Sequence, residues 1–207
     1  DDSDERGGSA SCDNGLDDDN DGSLDFVQSG TGDLGCASAI DNSERGSLPC
    51  DDELDDDGDG RRAFSLNAQA TDPGCVSPTD VSERGNTACD DEIDNDSDGK
   101  NNYYVDPNAP QRDPGCESAA DDSERGTLQC DDNSDNDHDG LTDYLADNTG
   151  DPGCASPSDT HERCLEQGCV TLCDNGVDDD GDGKTDFNTS ADLSDPGCTD
   201  ARDLFEK

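Results

Sequence analysis

The chain has 207 residues, of which 26% are hydrophobic and 3% aromatic, and its formal net charge is −45. So little apolar surface cannot offset the conformational entropy lost on folding, which excludes an ordinary domain with an apolar core. The acidic balance excludes nucleic acid as a partner, disfavours anionic membranes, and favours hard divalent cations that bind carboxylate oxygens.

Low hydrophobicity with high net charge is also typical of disordered chains. Two features argue against disorder here: the chain has 12 cysteines, and its acidic residues recur at fixed spacings. No apolar run approaches the length of a transmembrane helix. Because the sequence begins at Asp1 rather than at Met, we interpret it as a mature segment whose export signal was removed, and we predict an extracellular or cell-surface location.

A repeat with a period of about 40 residues organises the whole chain. Each repeat opens with Cys-Asp and an acidic loop, continues to a second cysteine in Asp-Leu-Gly-Cys or Asp-Pro-Gly-Cys, and ends in a connector. The predicted boundaries are 1–11 (connector tail), 12–49 (repeat 1), 50–88 (repeat 2), 89–129 (repeat 3), 130–172 (repeat 4, with a cysteine insertion) and 173–207 (repeat 5 and a partial connector).

Helical periodicity is absent and turn-forming residues are dense along the chain. We therefore predict a mostly irregular fold of small, disulfide-rich calcium-binding repeats, arranged as an extended linear array with little regular secondary structure.

The acidic loop of every repeat contains the pattern Asp-x-Asp-x-Asp-Gly. Alternate carboxylates can surround one cation, and the glycine permits the sharp turn that presents the next carbonyl as a ligand. The predicted carboxylate ligands are Asp17, Asp19, Asp21, Asp55, Asp57, Asp59, Asp94, Asp96, Asp98, Asp135, Asp137, Asp139, Asp178, Asp180 and Asp182. The predicted carbonyl ligands at loop position 7 are those of Ser23, Arg61, Lys100, Leu141 and Lys184.

Loop position 9 adds a carboxylate in three repeats, Asp25, Asp143 and Asp186, whereas Ala63 and Asn102 stand there in the other two. No glutamate follows at loop position 12, so we expect the missing bidentate ligand to come from elsewhere. The candidates are the Asp after each opening cysteine (Asp13, Asp51, Asp90, Asp131 and Asp174) and the connector glutamates (Glu44, Glu83, Glu124 and Glu162). We therefore predict that each repeat binds one or two calcium ions.

Each repeat also has an aromatic residue at loop position 10, and four repeats have an aliphatic residue directly before the first loop Asp. These pairs predict a miniature apolar core beside the metal.

The loops and the second cysteine motif resemble the thrombospondin type 3 calcium-binding repeats. They are more similar still to the C-D-x-x-D-N-D-x-D-G…D-P-G-C repeats of secreted microbial surface proteins. The resemblance covers nearly the whole chain and implies an extended array that wraps calcium ions with little regular secondary structure. The cysteine spacing differs from the thrombospondin type, so the implication extends to the loop ligands and not to the packing between repeats.

The 12 cysteines indicate a disulfide framework, for which two registers are possible. Pairing across connectors leaves Cys12 and Cys198 without partners in this chain. Pairing within repeats leaves no cysteine over, and we favour it: Cys12–Cys36, Cys50–Cys75, Cys89–Cys116, Cys130–Cys154, Cys173–Cys198, and Cys164–Cys169 in the insertion. An alternative for the insertion is a zinc site formed by His161, Cys164, Cys169 and Cys173.

No nucleophile motif accompanies the carboxylates or the two histidines, so we predict that the protein is not an enzyme. The leading hypothesis is a structural, calcium-stabilised subunit or segment of a surface fibre or stalk. Its partners would be copies of itself in a head-to-tail filament. A calcium-dependent adhesin or a spacer between other domains is the alternative. The sequon at Asn188 is the candidate glycosylation site, and connector Ser and Thr residues could carry further glycans.

Overall fold

The computed structural model describes residues 8–165 and 170–206. Its regular secondary structure in these ranges is limited to single-turn 3-10 helices, each containing an opening cysteine and the Asp that follows it. They span Ser11–Asp13, Pro49–Asp51, Ala88–Asp90, Gln129–Asp131 and Leu172–Asp174. An isolated bridge joins Asn102 to Arg112. The predictions of little regular secondary structure and of small disulfide-rich units are confirmed.

The 3-10 helices end after one turn because the chain soon enters the left-handed region of backbone space. The third residue after the opening cysteine has a positive φ in four repeats, at Gly15, Glu92, Asn133 and Gly176. Continuing a right-handed helix through such a residue is unfavourable. In these four repeats the opening therefore turns directly into the acidic loop, whereas in repeat 2 the helix is followed by Asp52 in an extended conformation.

Disulfides connect the opening cysteine with the second cysteine of the same repeat. The bridges are Cys12–Cys36, Cys50–Cys75, Cys130–Cys154 and Cys173–Cys198, with Cα–Cα distances of 5.6–5.7 Å. Cys89, Cys116 and Cys164 are disulfide-bonded as well, and Cys169 lies outside the described residues. The bond between Cys173 and Cys198 removes a thiolate that the zinc alternative requires, so that alternative is wrong.

The predicted miniature apolar core is not formed. The aliphatic residue before the loop is more than half exposed in all four repeats that have one, at Leu16, Leu54, Ile93 and Val177. The loop aromatics are half-buried, and their N–H groups donate to the carbonyl of the opening cysteine, as Phe64 does to Cys50 over 2.9 Å. The buried interior consists instead of cystines and carboxylates. Its largest fully buried side chains include Glu44, Glu83, Glu124 and Glu162.

Contacts divide the chain into two units. One comprises Asp1–Glu92, Tyr103–Ala109 and Ser118–Ala120, and the other comprises Ile93–Asn102, Pro110–Glu117 and Asp121–Lys207. Among the described residues, no helix is long and apolar enough to cross a membrane.

Within each unit, consecutive repeats join through the fourth residue of the preceding acidic loop. Its carbonyl accepts a hydrogen bond from the next repeat, at a distance of 2.8–2.9 Å. The donor–acceptor pairs are Leu66–Asn20 and Val105–Gly58 in the first unit, and Ala146–Ser97 and Thr189–His138 in the second. The same donor residues pack their side chains against the glycine at loop position 6. A following repeat therefore covers the loop of the repeat before it.

Candidate metal centre

The acidic loop of repeat 2 shows how the three alternating carboxylates are positioned. Asp55 accepts the N–H groups of Gly58 and Gly60, at 2.8 and 3.2 Å, so it closes the loop upon itself. Asp57 Oδ1 accepts the N–H of Asp59 at 3.0 Å. The Oδ2 atom of Asp57 is buried and accepts no hydrogen bond within the described chain. One oxygen of Asp57 thus shapes the loop, and the other faces the cationic side chain of Arg84, whose Nη1 lies 3.4 Å away.

Equivalent loops recur in the other repeats. Carboxylate oxygens of Asp55, Asp57 and Asp59 lie within 4.8 Å of one another, as do those of Asp94, Asp96 and Asp98. Asp17, Asp135 and Asp178 accept the loop-glycine N–H in the same way as Asp55. Buried Oδ2 atoms that accept no hydrogen bond from described residues belong to Asp19, Asp21, Asp96, Asp98, Asp137 and Asp139. The structure brings the predicted loop carboxylates together in these clusters.

The loop of repeat 5 differs in its exposure. Asp180 and Asp182 are exposed, whereas the corresponding residues of the four preceding repeats are buried. In repeats 1–4 the following repeat packs on the loop, and no described residues occupy that place over repeat 5.

The connector glutamates reach back into the loop of their own repeat. Glu44 Oε2 accepts the N–H of Asp18 at 2.6 Å and its Oε1 accepts the N–H of Asp25 at 2.9 Å. Glu83, Glu124 and Glu162 accept the corresponding N–H groups of Asp56, Asn95 and Asn136. Burial raises the pKa of Glu83 and of Glu162 to about 7 and that of Glu124 to about 8. Such carboxylates would be protonated near neutral pH unless a cation neutralised them.

Glu206 was missed as a candidate and does the same for repeat 5. It accepts the N–H groups of Asp179 and Asp186, at 2.5 and 3.0 Å, and it is buried. Its position in the sequence could have identified it. Each connector glutamate lies eight residues after the second cysteine of its repeat, and Glu206 follows Cys198 at the same spacing.

The aspartate that opens the Asp-Leu-Gly-Cys or Asp-Pro-Gly-Cys motif, here called the Asp before Gly-Cys, was also missed as a candidate ligand, although it recurs in all five repeats. Asp72 is fully buried; its Oδ1 accepts the N–H of Gly74 at 2.8 Å, and its Oδ2 accepts no hydrogen bond in the described part of the chain. Its counterparts with the same arrangement are Asp33, Asp113, Asp151 and Asp195. Burial raises the pKa of Asp72 to about 7 and that of Asp151 to about 8.

The Asp before Gly-Cys approaches the loop carboxylates. One cluster joins oxygens of Asp57, Asp72 and Glu83 within 4.8 Å, and another joins those of Asp19, Asp21 and Asp33. The motif Asp-Pro-Gly-Cys therefore contributes a carboxylate as well as a cysteine. The sequence signal for this role is that the motif recurs at a fixed place after the acidic loop in every repeat.

The aspartate after an opening cysteine lies with the preceding repeat. Asp51 Oδ2 accepts the N–H of Gly46 at 3.0 Å, and burial, reinforced by Asp19 and Asp21 of repeat 1, raises its pKa to about 6. Asp90, Asp131 and Asp174 are buried too; burial and then contact with a loop Asp of the preceding repeat raise the pKa of each. Asp13 is half-buried, and its carbonyl accepts the N–H of Gly8.

The carboxylates at loop position 9 cap the opening turn. Asp25 accepts the N–H of Gly15 on both oxygens at 3.1 Å, Asp143 accepts that of Asn133, and Asp186 accepts that of Gly176. Arg125 and Arg163 also pair with Asp143 and Asp186, respectively. These hydrogen bonds give loop position 9 a structural role beside any contact with a cation.

Two further predicted sites have defined surroundings. The residues at loop position 7 donate their N–H groups to the fifth loop position, as Arg61 does to Asp59 Oδ1 at 2.6 Å; the predicted carbonyl ligands Ser23, Arg61, Lys100, Leu141 and Lys184 stay predictions. Asn188 is half-buried, and its side-chain oxygen accepts the N–H of Ser190 at 2.8 Å. Glycosylation there stays a prediction as well.

Comparisons with known proteins leave the family open. A scan of protein-family models finds no match to this chain, and searches of curated proteins and of solved structures find none either. The resemblance to thrombospondin type 3 repeats therefore rests on the loops and the second cysteine motif alone. The geometry of the clusters carries the functional argument.

Proposed function

We propose that the protein is a calcium-stabilised structural repeat protein of the cell exterior, which serves as a subunit or segment of a surface fibre or stalk. One observation carries this proposal: the buried interior is built from carboxylates in place of apolar side chains. Burying charge is costly unless it is paired or bound to metal. Cations would thus supply the stability that an apolar core supplies elsewhere.

Calcium suits the ligands on offer. The clusters present carboxylate oxygens from a flexible loop, and calcium accepts six to eight oxygen ligands, including carbonyls, in adaptable geometry. Zinc prefers nitrogen and sulfur ligands, and the described cysteines are all in disulfides. Such disulfides also fit the oxidising conditions outside the cell.

A head-to-tail filament is the assembly that we propose. In repeats 1–4 the aspartate after the next opening cysteine lies against the loop of the preceding repeat, and the loop of repeat 5 is exposed. Asp13 of a second copy could serve repeat 5 as Asp51 serves repeat 1. Such a contact is heterologous and does not close, so it would propagate into a fibre.

Electron microscopy and sedimentation velocity of the purified chain test this proposal. We expect fibres in calcium that disperse after chelation, and shorter or fewer fibres for Asp13→Asn. Asp18→Asn is the matched control, because Asp18 is exposed and the equivalent residues of repeats 3 and 4 are asparagines, Asn95 and Asn136. A chain that binds calcium but stays monomeric under all conditions would contradict the fibre and favour a binding module or spacer.

A further inference from the structure

The negative charge of the carboxylates where repeats 2 and 3 meet exceeds what one cation bound in the acidic loop, here called the loop ion, can neutralise. This group, here called the junction group, consists of Asp55, Asp57, Asp59, Asp72, Glu83 and Asp90. Six carboxylates and the guanidinium of Arg84 carry a formal charge of −5. One divalent cation would leave −3 and two would leave −1. All of these carboxylates except Asp55 are buried, and because buried charge requires compensation, the second cation is favoured.

Two residues of the junction group each have a buried oxygen that lacks a hydrogen-bond donor within the described chain. Asp72 Oδ2 and Glu83 Oε1 accept no hydrogen bond from the described residues, and both residues are at least 98% buried. Asp57, Asp72 and Glu83 form a cluster in which one carboxylate oxygen of each residue lies within 4.8 Å of the other two. Oxygens bound to one calcium at about 2.4 Å can be separated by up to twice that distance. The spacing therefore fits one shared ion.

The next repeat adds a fourth carboxylate to this place. Arg84 Nη1 lies 3.4 Å from Asp57 Oδ2 and 3.2 Å from Asp90 Oδ1, so these two oxygens share one nitrogen. Asp90 follows the opening cysteine of repeat 3, whereas Asp57, Asp72 and Glu83 belong to repeat 2. The junction group is thus drawn from two consecutive repeats.

We propose that the junction of consecutive repeats holds a second divalent cation, in addition to the loop ion. We call this second position the link site, and it rests on the proposed calcium-binding function. In repeat 2 its ligands are Asp57, Asp72, Glu83 and Asp90. By equivalent position in the repeat, the corresponding sets are Asp19, Asp33, Glu44 and Asp51 in repeat 1, Asp96, Asp113, Glu124 and Asp131 in repeat 3, and Asp137, Asp151, Glu162 and Asp174 in repeat 4.

The link site has a mechanical consequence. Its ion binds the acidic loop, the segment before Gly-Cys and the connector of one repeat to the opening turn of the next. Loss of that ion would uncouple neighbouring repeats while leaving the loop ion in place. In repeat 5 only the first three ligands are present among the described residues, namely Asp180, Asp195 and Glu206. The fifth link site would therefore bind more weakly in an isolated chain.

Native mass spectrometry of the non-reduced full chain in calcium counts the ions directly. We expect nine tightly bound calcium ions, from five loop sites and four complete link sites. Asp72→Asn and Asp90→Asn should each retain eight. Asp56→Asn is the matched control, because it removes one charge from an exposed position of the acidic loop of repeat 2, where repeats 3 and 4 carry asparagine; it should retain nine.

The outcomes separate the link site from the proposed function. Nine ions with eight in both link variants and nine in the control support the proposal. Five ions in the unaltered chain, or an undiminished count in Asp90→Asn, would overturn the link site and leave calcium-stabilised repeats intact. A chain that binds no calcium would overturn both. If Asp72→Asn misfolds, Asp90→Asn decides, because it leaves every residue of repeat 2 unchanged.

Discussion

Asp57 and Asp90 come from consecutive repeats, yet Arg84 Nη1 contacts a carboxylate oxygen of each, at 3.4 and 3.2 Å. Arg84 also donates to the carbonyl of Asp57 and to the hydroxyl of Tyr104, at 2.7 and 3.1 Å, and its guanidinium carbon lies 5.2 Å from the centre of the Tyr104 ring. A single cationic side chain therefore joins two repeats at the junction group.

Replacing this arginine should weaken the junction. Arg84→Gln is expected to lower the free energy of unfolding in calcium by about 1–3 kcal/mol, because buried acceptors lose a charged donor. The measurement is the thermal unfolding midpoint in saturating calcium. Arg62→Gln, at an exposed position, is the control and should leave the midpoint unchanged. Equal effects of the two substitutions would argue against a junction role for Arg84.

Glycine at loop position 6 should matter most where a following repeat covers it. A Cβ on Gly60 would lie 2.6 Å from Val105, whereas a Cβ on Gly183 would meet nothing within 4 Å, although φ is +94° and +95° at the two positions. Alanine at either position incurs the left-handed penalty of about 1–2 kcal/mol. Gly60→Ala should destabilise further, as measured by hydrogen exchange in the altered repeat. Equal losses of protection in Gly60→Ala and Gly183→Ala would show that the contact between the added Cβ and Val105 does not destabilise the repeat.

Removing one disulfide should act locally. The Cys50–Cys75 bridge has a sequence separation of 25 residues, and closing a loop of that length stabilises a fold by about 3–4 kcal/mol in the entropic description. Changing both cysteines to serine should abolish hydrogen-exchange protection in repeat 2 and spare repeats 4 and 5, because repeats contact mainly their neighbours. Uniform loss of protection along the chain would contradict local stability.

Stability should depend on pH in opposite directions with and without calcium. Burial raises the pKa of Asp72 and Glu83 to about 7 and that of Glu124 to about 8, from ordinary values of 3.8 and 4.5. Without metal, the folded chain binds more protons than the unfolded chain between about pH 4 and pH 8, so its stability falls as pH rises. With calcium, protons compete for the ligands, so stability falls as pH decreases through the same range.

Thermal unfolding across pH 4–8 checks this prediction, using chelator-treated protein in metal-free buffer and the same protein in calcium. The two midpoint curves should slope oppositely and approach each other at low pH. Parallel curves would mean that the buried carboxylates do not exchange protons for cations.

How far the site could be predicted from the sequence depends on the span of chain that each part requires. The predicted loop ligands such as Asp55, Asp57 and Asp59 lie within five residues, so spacing alone places their carboxylates together. Glu83 could be proposed as a ligand because a glutamate recurs at this position in the connectors, but its position relative to the acidic loop could not be predicted. The repeat to which Asp90 contributes could not be derived, since that depends on how one repeat packs upon another.

Two errors have a physical explanation. The motif of Asp72 predicts a turn that positions the second cysteine, and so Asp72 was not among the candidate ligands. An acidic residue that recurs beside the cystine in all five repeats nevertheless indicates a further role for its carboxylate. The expected apolar core does not form because Leu54 is exposed and Phe64 is only half-buried, while carboxylates occupy the interior. Hydrophobic pairing is a poor guide in a chain whose buried interior consists of cystines and carboxylates.

Hydrogen exchange of the amides that donate to the buried carboxylates tests the central claim most directly. The N–H groups of Asp56, Asp59 and Gly74 donate to Glu83, Asp57 and Asp72, respectively. We predict strong protection of these amides in calcium and its loss when calcium is removed at neutral pH with the disulfides intact. Equal protection with and without calcium would show that the carboxylate interior is stable by itself, and would contradict the account.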